Sequence, residues 1–184
     1  NNTAVGTDAL FANTTGTGNV AVGALSLDAN TTGSRNTAVG YNTLSAYTQT
    51  GEGNSTAVGY IAGASLTTGQ KNTAIGSRAL AAATTGAANT ALGYQALTAN
   101  TTADGNTAIG NDSLIANTTG AANTALGSGS LYSNTTASNN TAIGLNALVA
   151  NTTGHENTMV GGISGDAITT GSVNTGVGYN SLGA

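Results

Sequence analysis

The chain contains no cysteine, no proline and no tryptophan, and very little charge. Without cysteine there is neither a disulfide nor a thiolate metal site. Three Lys or Arg against seven Asp or Glu, a net charge of −4, leave no basic stripe for nucleic acid. They also leave no polybasic segment for anionic lipid. No apolar run reaches the length of a helical membrane span, so no direct membrane insertion is expected. The single histidine, His155, stands beside Glu156 without a second ligand at metal-binding spacing and reads as half of a solvated turn pair. No nucleophile–base set or carboxylate pair recurs at fixed distance, so no catalytic residue, metal or cofactor is expected. Gly16-x-Gly18 and Gly176-x-Gly178 lack the rest of a dinucleotide fingerprint and the lysine of a P-loop.

What is present is one phrase repeated. The glycine closing Ala-Val-Gly or Ala-Ile-Gly falls at Gly6, Gly23, Gly40, Gly59, Gly76, Gly93, Gly110, Gly127, Gly144, Gly161 and Gly178. Every step is 17 residues except Gly40 to Gly59, which is 19. Such self-similarity means a stacked repeat architecture. Low aliphatic content alone would suggest disorder, but strict phase, low charge and apolar residues at fixed slots oppose it. Residues 1–184 therefore read as a single repeat array, expected to be part of a longer fibrous protein.

Slots are counted here from the motif glycine. The four residues before it read Asn-Thr-Ala-aliphatic in most units, with alternation and β-branching that predict a short strand. A second apolar slot at +4 holds leucine in nine units, and a small residue at +6 follows it. Asn-Thr-Thr-Gly then reads as a turn, with its glycine expected at positive φ, although Ala103 and Ala137 replace that glycine in two units. The expected core is the two aliphatic columns, represented by Val5, Leu10, Val39, Leu44, Ile75, Leu80, Ile109, Leu114, Ile143 and Leu148. Gly63 and Gly165 interrupt the leucine column, and both units carry flanking replacements, Ile61 with Leu66 and Ile163 with Ile168. Close packing requires such compensation if the leucine slot is buried.

No charge falls in the strand or the leucine slot, so charged slots should face water. The Asn column before each strand predicts an amide ladder along the stack. The two-residue insertion is placed in the turn near Tyr47–Gly53. The fold class expected is all-β, a parallel β-solenoid or β-roll of eleven coils of about 17 residues. A strand plus a short helix per unit is the alternative, disfavoured because only about seven residues precede Thr-Thr-Gly.

Asn72-Thr73-Ala74-Ile75-Gly76-Ser77-Arg78-Ala79 and Asn106-Thr107-Ala108-Ile109-Gly110 resemble the head repeats of YadA-like trimeric autotransporter adhesins. Similar repeats occur in phage tail fibres. The resemblance covers the whole chain, though this repeat is longer than the family's usual unit. It implies a left-handed parallel β-roll, a homotrimer with small apolar residues inside, and display on a bacterial cell surface or virion.

The function expected is thus a non-enzymatic structural or adhesive fibre module, a rigid rod making multivalent contacts. Its partners are itself, as homotrimer or end-to-end assembly, and a host-surface glycan or protein, with no nucleic acid. Tyr41, Tyr60, Tyr94 and Tyr179 follow the motif glycine at a variable slot and are the candidate surface contacts, with Tyr41 and Tyr60 placed to stack. The alternatives are an ice-binding Thr-rich solenoid and a self-assembling extracellular filament. The paired threonines such as Thr14-Thr15 speak for ice, but they sit in a turn, whereas a flat ice-binding face needs a strand.

Overall fold

The computed structural model describes residues 1–183 as an all-β parallel solenoid with no helix among them. Its strands are β1 Thr3–Val5, β2 Val20–Val22, β3 Gly33–Ser34, β4 Thr37–Val39, β5 Gly51–Glu52, β6 Thr56–Val58 and β7 Thr73–Ile75. There follow β8 Thr90–Leu92, β9 Thr107–Ile109, β10 Thr124–Leu126, β11 Thr141–Ile143, β12 Thr158–Val160 and β13 Thr175–Val177. All but β3 and β5 form one 11-stranded parallel sheet in sequence order. Pairing is in register, each Thr-Ala-aliphatic triplet over the next, as in Thr107↔Thr124, Ala108↔Ala125 and Ile109↔Leu126. At about 4.8 Å per step the stack is roughly 50 Å long.

The core differs from expectation in one column. The leucines are buried as expected: Leu44, Leu80, Leu114 and Leu148 are sealed, and Leu10 at the first coil nearly so. The aliphatic residue of the strand is not. Val39, Ile75, Ile109 and Ile143 are only half-buried and Val5 is exposed, so these five belong to the outer surface of the chain. Alternation puts the central residue of a three-residue strand on the opposite face from its neighbours. That central residue is alanine, and Ala38, Ala74, Ala108 and Ala142 are buried. The leucine occupies the interior, which leaves room only for a methyl on the strand side. The small residue at +6 also lies outside, and the inner small column is at +3, as at Ala79, Ala96 and Ala147.

Each coil turns by visiting left-handed backbone conformations. The residues at +2 and +4 have φ near +50 to +61°, and so do most residues at +12, for example Arg78, Leu80 and Lys71. The leucine slot thus combines burial with a conformation that costs a side-chain-bearing residue roughly 1–2 kcal/mol. This supplies a second reason for Gly63 and Gly165, at φ +58 and +64°. The space is refilled by one member of each expected pair, Leu66 being fully buried and Ile168 packed on the core, whereas Ile61 and Ile163 are half-buried and lie outside the core. A further replacement is Met159. It takes the strand alanine slot and reaches over Gly165 and Gly176, whose added Cβ atoms would stand 2.9 Å from its Cγ and 2.7 Å from its Sδ.

The motif glycines have φ of +124 to +146°. A Cβ at Gly93 would stand 2.4 Å from the Gly110 carbonyl oxygen, so the column admits no side chain. The turn glycine is favoured for a different reason than expected, and Ala103 and Ala137 show that a methyl can be accommodated at this slot. Positive φ falls two residues later, and Gly69 and Gly120 are instead held against the next coil, where a Cβ would meet a carbonyl oxygen at 2.1 and 2.2 Å.

Two asparagine ladders seal the turns. In the ladder before the strands, the side-chain oxygen accepts the next coil's backbone N–H, as from Asn106 to Asn89 at 2.9 Å. The amide nitrogen donates to the carbonyl that closes the turn, as from Asn106 to Gly120 at 2.8 Å. The ladder at +7 runs amide to amide, Asn134 to Asn117 at 2.9 Å. Asn30 and Asn117, which sit in Asn-x-Thr sequons, are buried there. In the 19-residue coil, Gly51 pairs with Gly33, and Ser55 stands in the Asn ladder's place, its backbone N–H donating to Asn36 Oδ1. The extra residues therefore divide between the stretch before Gly51 and that before Ser55. Tyr47 fills the interior of this coil.

Candidate functional surface

The outward face of the sheet carries two parallel ranks, threonine and an aliphatic residue, because alternation sends both to the side opposite the buried alanine. The aliphatic rank runs without a break through eleven strands, and its two mid-rod leucines, Leu92 and Leu126, are 42% and 43% exposed. No charged residue lies on these strands. The exposed side of the rod is thus most apolar where its backbone is most regular, a signal the repeat displayed but which the sequence reading assigned to the core.

Tyrosines mark the corner beyond the motif glycine. Tyr41 and Tyr60 stack, with ring centroids 5.7 Å apart and planes 13° apart. Tyr94 and Tyr179 stand in the same column and are exposed as well. The backbone there is a continuous ladder, Arg78 donating to the Tyr60 carbonyl, Gln95 to that of Ser77 and Asp112 to that of Tyr94, at 2.9 to 3.0 Å.

The paired threonines divide their work. The first hydroxyl donates to the next coil's carbonyl, as from Thr118 to Thr135 at 3.0 Å. The second, as at Thr102, Thr119 and Thr136, is exposed. Most charged groups lie on exposed slots, but Asp28, Asp112 and Asp166 are half-buried, each with one carboxylate oxygen sealed from solvent. Arg35 and Glu52 pair at 2.7 Å across β3 and β5, both more than half exposed, which places the pair in the range of at most about 1 kcal/mol. His155 and Glu156 are 3.8 Å apart and equally exposed. Among the described residues no three His, Asp or Glu side chains cluster as a metal site, and the surface carries no enclosed pocket. Compared with protein-family models, curated proteins and solved structures, the chain matches none.

Proposed function

We propose that the chain is a non-enzymatic fibre module, a stiff rod that associates with copies of itself and presents repeated contacts along its length. The observation that carries this reading is the unbroken aliphatic rank on the strand face. An exposed apolar strip of this length marks an interaction surface. A partner matching eleven equally spaced ranks has the same pitch, and a second copy has it by construction. The trimer and the cell-surface or virion setting follow from the resemblance to autotransporter heads and tail fibres. Among the described residues the charged groups are scattered along the rod and form no His, Asp and Glu cluster. Sedimentation equilibrium tests the association. A concentration-independent trimer is expected, and a clean monomer at high concentration overturns self-association.

A second reading is supported by the threonine rank on the same face. The turn threonines argued poorly for ice, but Thr73, Thr90, Thr107 and Thr124 stand on a regular parallel sheet beside aliphatic side chains. Ordered hydroxyls and methyls at constant spacing suit a water lattice. Thermal hysteresis above a buffer control at millimolar protein supports this reading, and its absence ends it.

A further inference from the structure

The tyrosine column has a missing rung. Reading along the corner, the residues are Tyr41, Tyr60, Ser77 and Tyr94. Their backbones are consecutive steps of one hydrogen-bonded ladder, with Arg78 bound to the Tyr60 carbonyl and Gln95 to the Ser77 carbonyl. Tyr41 and Tyr60 show how rings at this slot arrange themselves, nearly parallel and stacked along the rod. At Ser77 the side chain ends at a hydroxyl, so Tyr60 and Tyr94 stand two steps apart, roughly 10 Å. That is the spacing of two rings with a third between them. Tyr60 and Tyr94, which flank this step, are 52% and 51% exposed.

We infer that the gap between Tyr60 and Tyr94 receives one ring of an acidic carbohydrate. A pyranose presents an apolar C–H face to each aromatic ring, as the tyrosines do to one another. Arg78 follows Ser77 directly and is exposed. Among the described residues Arg35 is paired with Glu52, whereas the Arg78 guanidinium has no ion-pair partner. A free guanidinium beside a ring-sized gap favours a sugar carboxylate, which it binds through two parallel hydrogen bonds. The other tyrosines lack this combination: Tyr41 stacks on Tyr60 with no gap, and Tyr179 leans over Gly162. This inference rests on the reading of the rod as a contact-presenting module and specifies one contact.

The test is calorimetric titration of the chain, in whatever oligomer it forms, with two probes. One is a hexasaccharide of alternating glucuronate and N-acetylglucosamine, the other a neutral glucose hexasaccharide. The acidic probe is expected to bind and the neutral one to bind about tenfold more weakly. S77Y restores the rung that four other coils carry, so the fold is kept and binding of both probes is lost. R78Q leaves the neutral probe unchanged and brings the acidic one down to its level. No binding of either probe at millimolar concentration, or binding by S77Y equal to that of the parent chain, overturns the site. Equal affinity for the two probes overturns its acidic preference. Because S77Y leaves the strand face untouched, failure here is separable from a failure of self-association, which sedimentation reports.

Discussion

Leu97 is both buried and at φ +53°, and so are its counterparts in most coils. Burial of a leucine contributes about 1.5–3 kcal/mol, and the left-handed backbone costs roughly 1–2 kcal/mol. The slot is therefore held by a narrow margin, which explains why glycine with flanking compensation replaces leucine twice. Restoring the consensus residue ordinarily stabilises a protein. At position 63 the opposite is expected. The Cβ of G63L would stand 3.0 Å from Leu44 Cδ2, and Leu66 is already buried in that coil. Overpacking of this kind costs about 1–3 kcal/mol, measurable as a lower urea midpoint.

Tyr47 offers a second test at this scale. Its phenol oxygen is buried without a well-formed hydrogen bond, since the Ser55 hydroxyl is engaged with Gly53 and Asn72. Burial raises its pKa, and the nearby Ser55 offsets this only in part. The folded chain thus keeps a proton that the unfolded chain releases above pH ~10. Stability is full below that pH and falls as pH rises from there through the folded pKa. Y47F is expected to be as stable as the parent at neutral pH or slightly more so, and to lose this part of the alkaline decline. Circular-dichroism melting between neutral and alkaline pH checks both.

At the scale of the element, a three-residue strand is too short to hold register alone. Register is held by what flanks it, the asparagine ladder on one side and the glycine column on the other. Asn106 accepts the backbone N–H of Asn123 and donates to the Gly120 carbonyl. N106A leaves the buried Asn123 N–H without a partner, at about 1–3 kcal/mol, while the Gly120 carbonyl keeps its bond from Asn117 Nδ2 at 2.9 Å. N106S, built on the pattern of Ser55, keeps an acceptor and is expected to lose less. Equilibrium urea unfolding of the pair resolves the difference. G93A strikes the other flank. Its methyl would overlap the Gly110 carbonyl at a φ of +146°, so the two coils must separate locally. Loss of amide protection confined to the neighbouring strands, followed by hydrogen exchange, is the expected signature.

For the whole molecule, the proposed self-association is tested at the aliphatic rank. A charge placed in the middle of the rank, I109K, lies on a half-buried outward position of the single chain. It is expected to leave the circular-dichroism spectrum unchanged while burying an unpaired charge in any self-association interface. Sedimentation should then show dissociation to monomers, whereas the same change at Ala88, an exposed slot away from the sheet, should not.

Much of this architecture was legible in the residues. The 17-residue phase determined the solenoid, the buried leucine column, the amide ladder, the Tyr41–Tyr60 stack and the site of the insertion. Each of these repeats along the chain and stacks on its own copy, so spacing alone reveals it. Only the tertiary structure decided which way the strand faces. Alternation says that Ala108 and Ile109 point oppositely, but it does not say which is inside. That choice depends on how much room the leucines of the facing turn leave, a property of the closed coil. The positive φ at the leucine slot and the close approach at the turn glycines are likewise products of closure. Closure also turned the aliphatic rank, by size the natural candidate for the core, onto the outer face of the sheet.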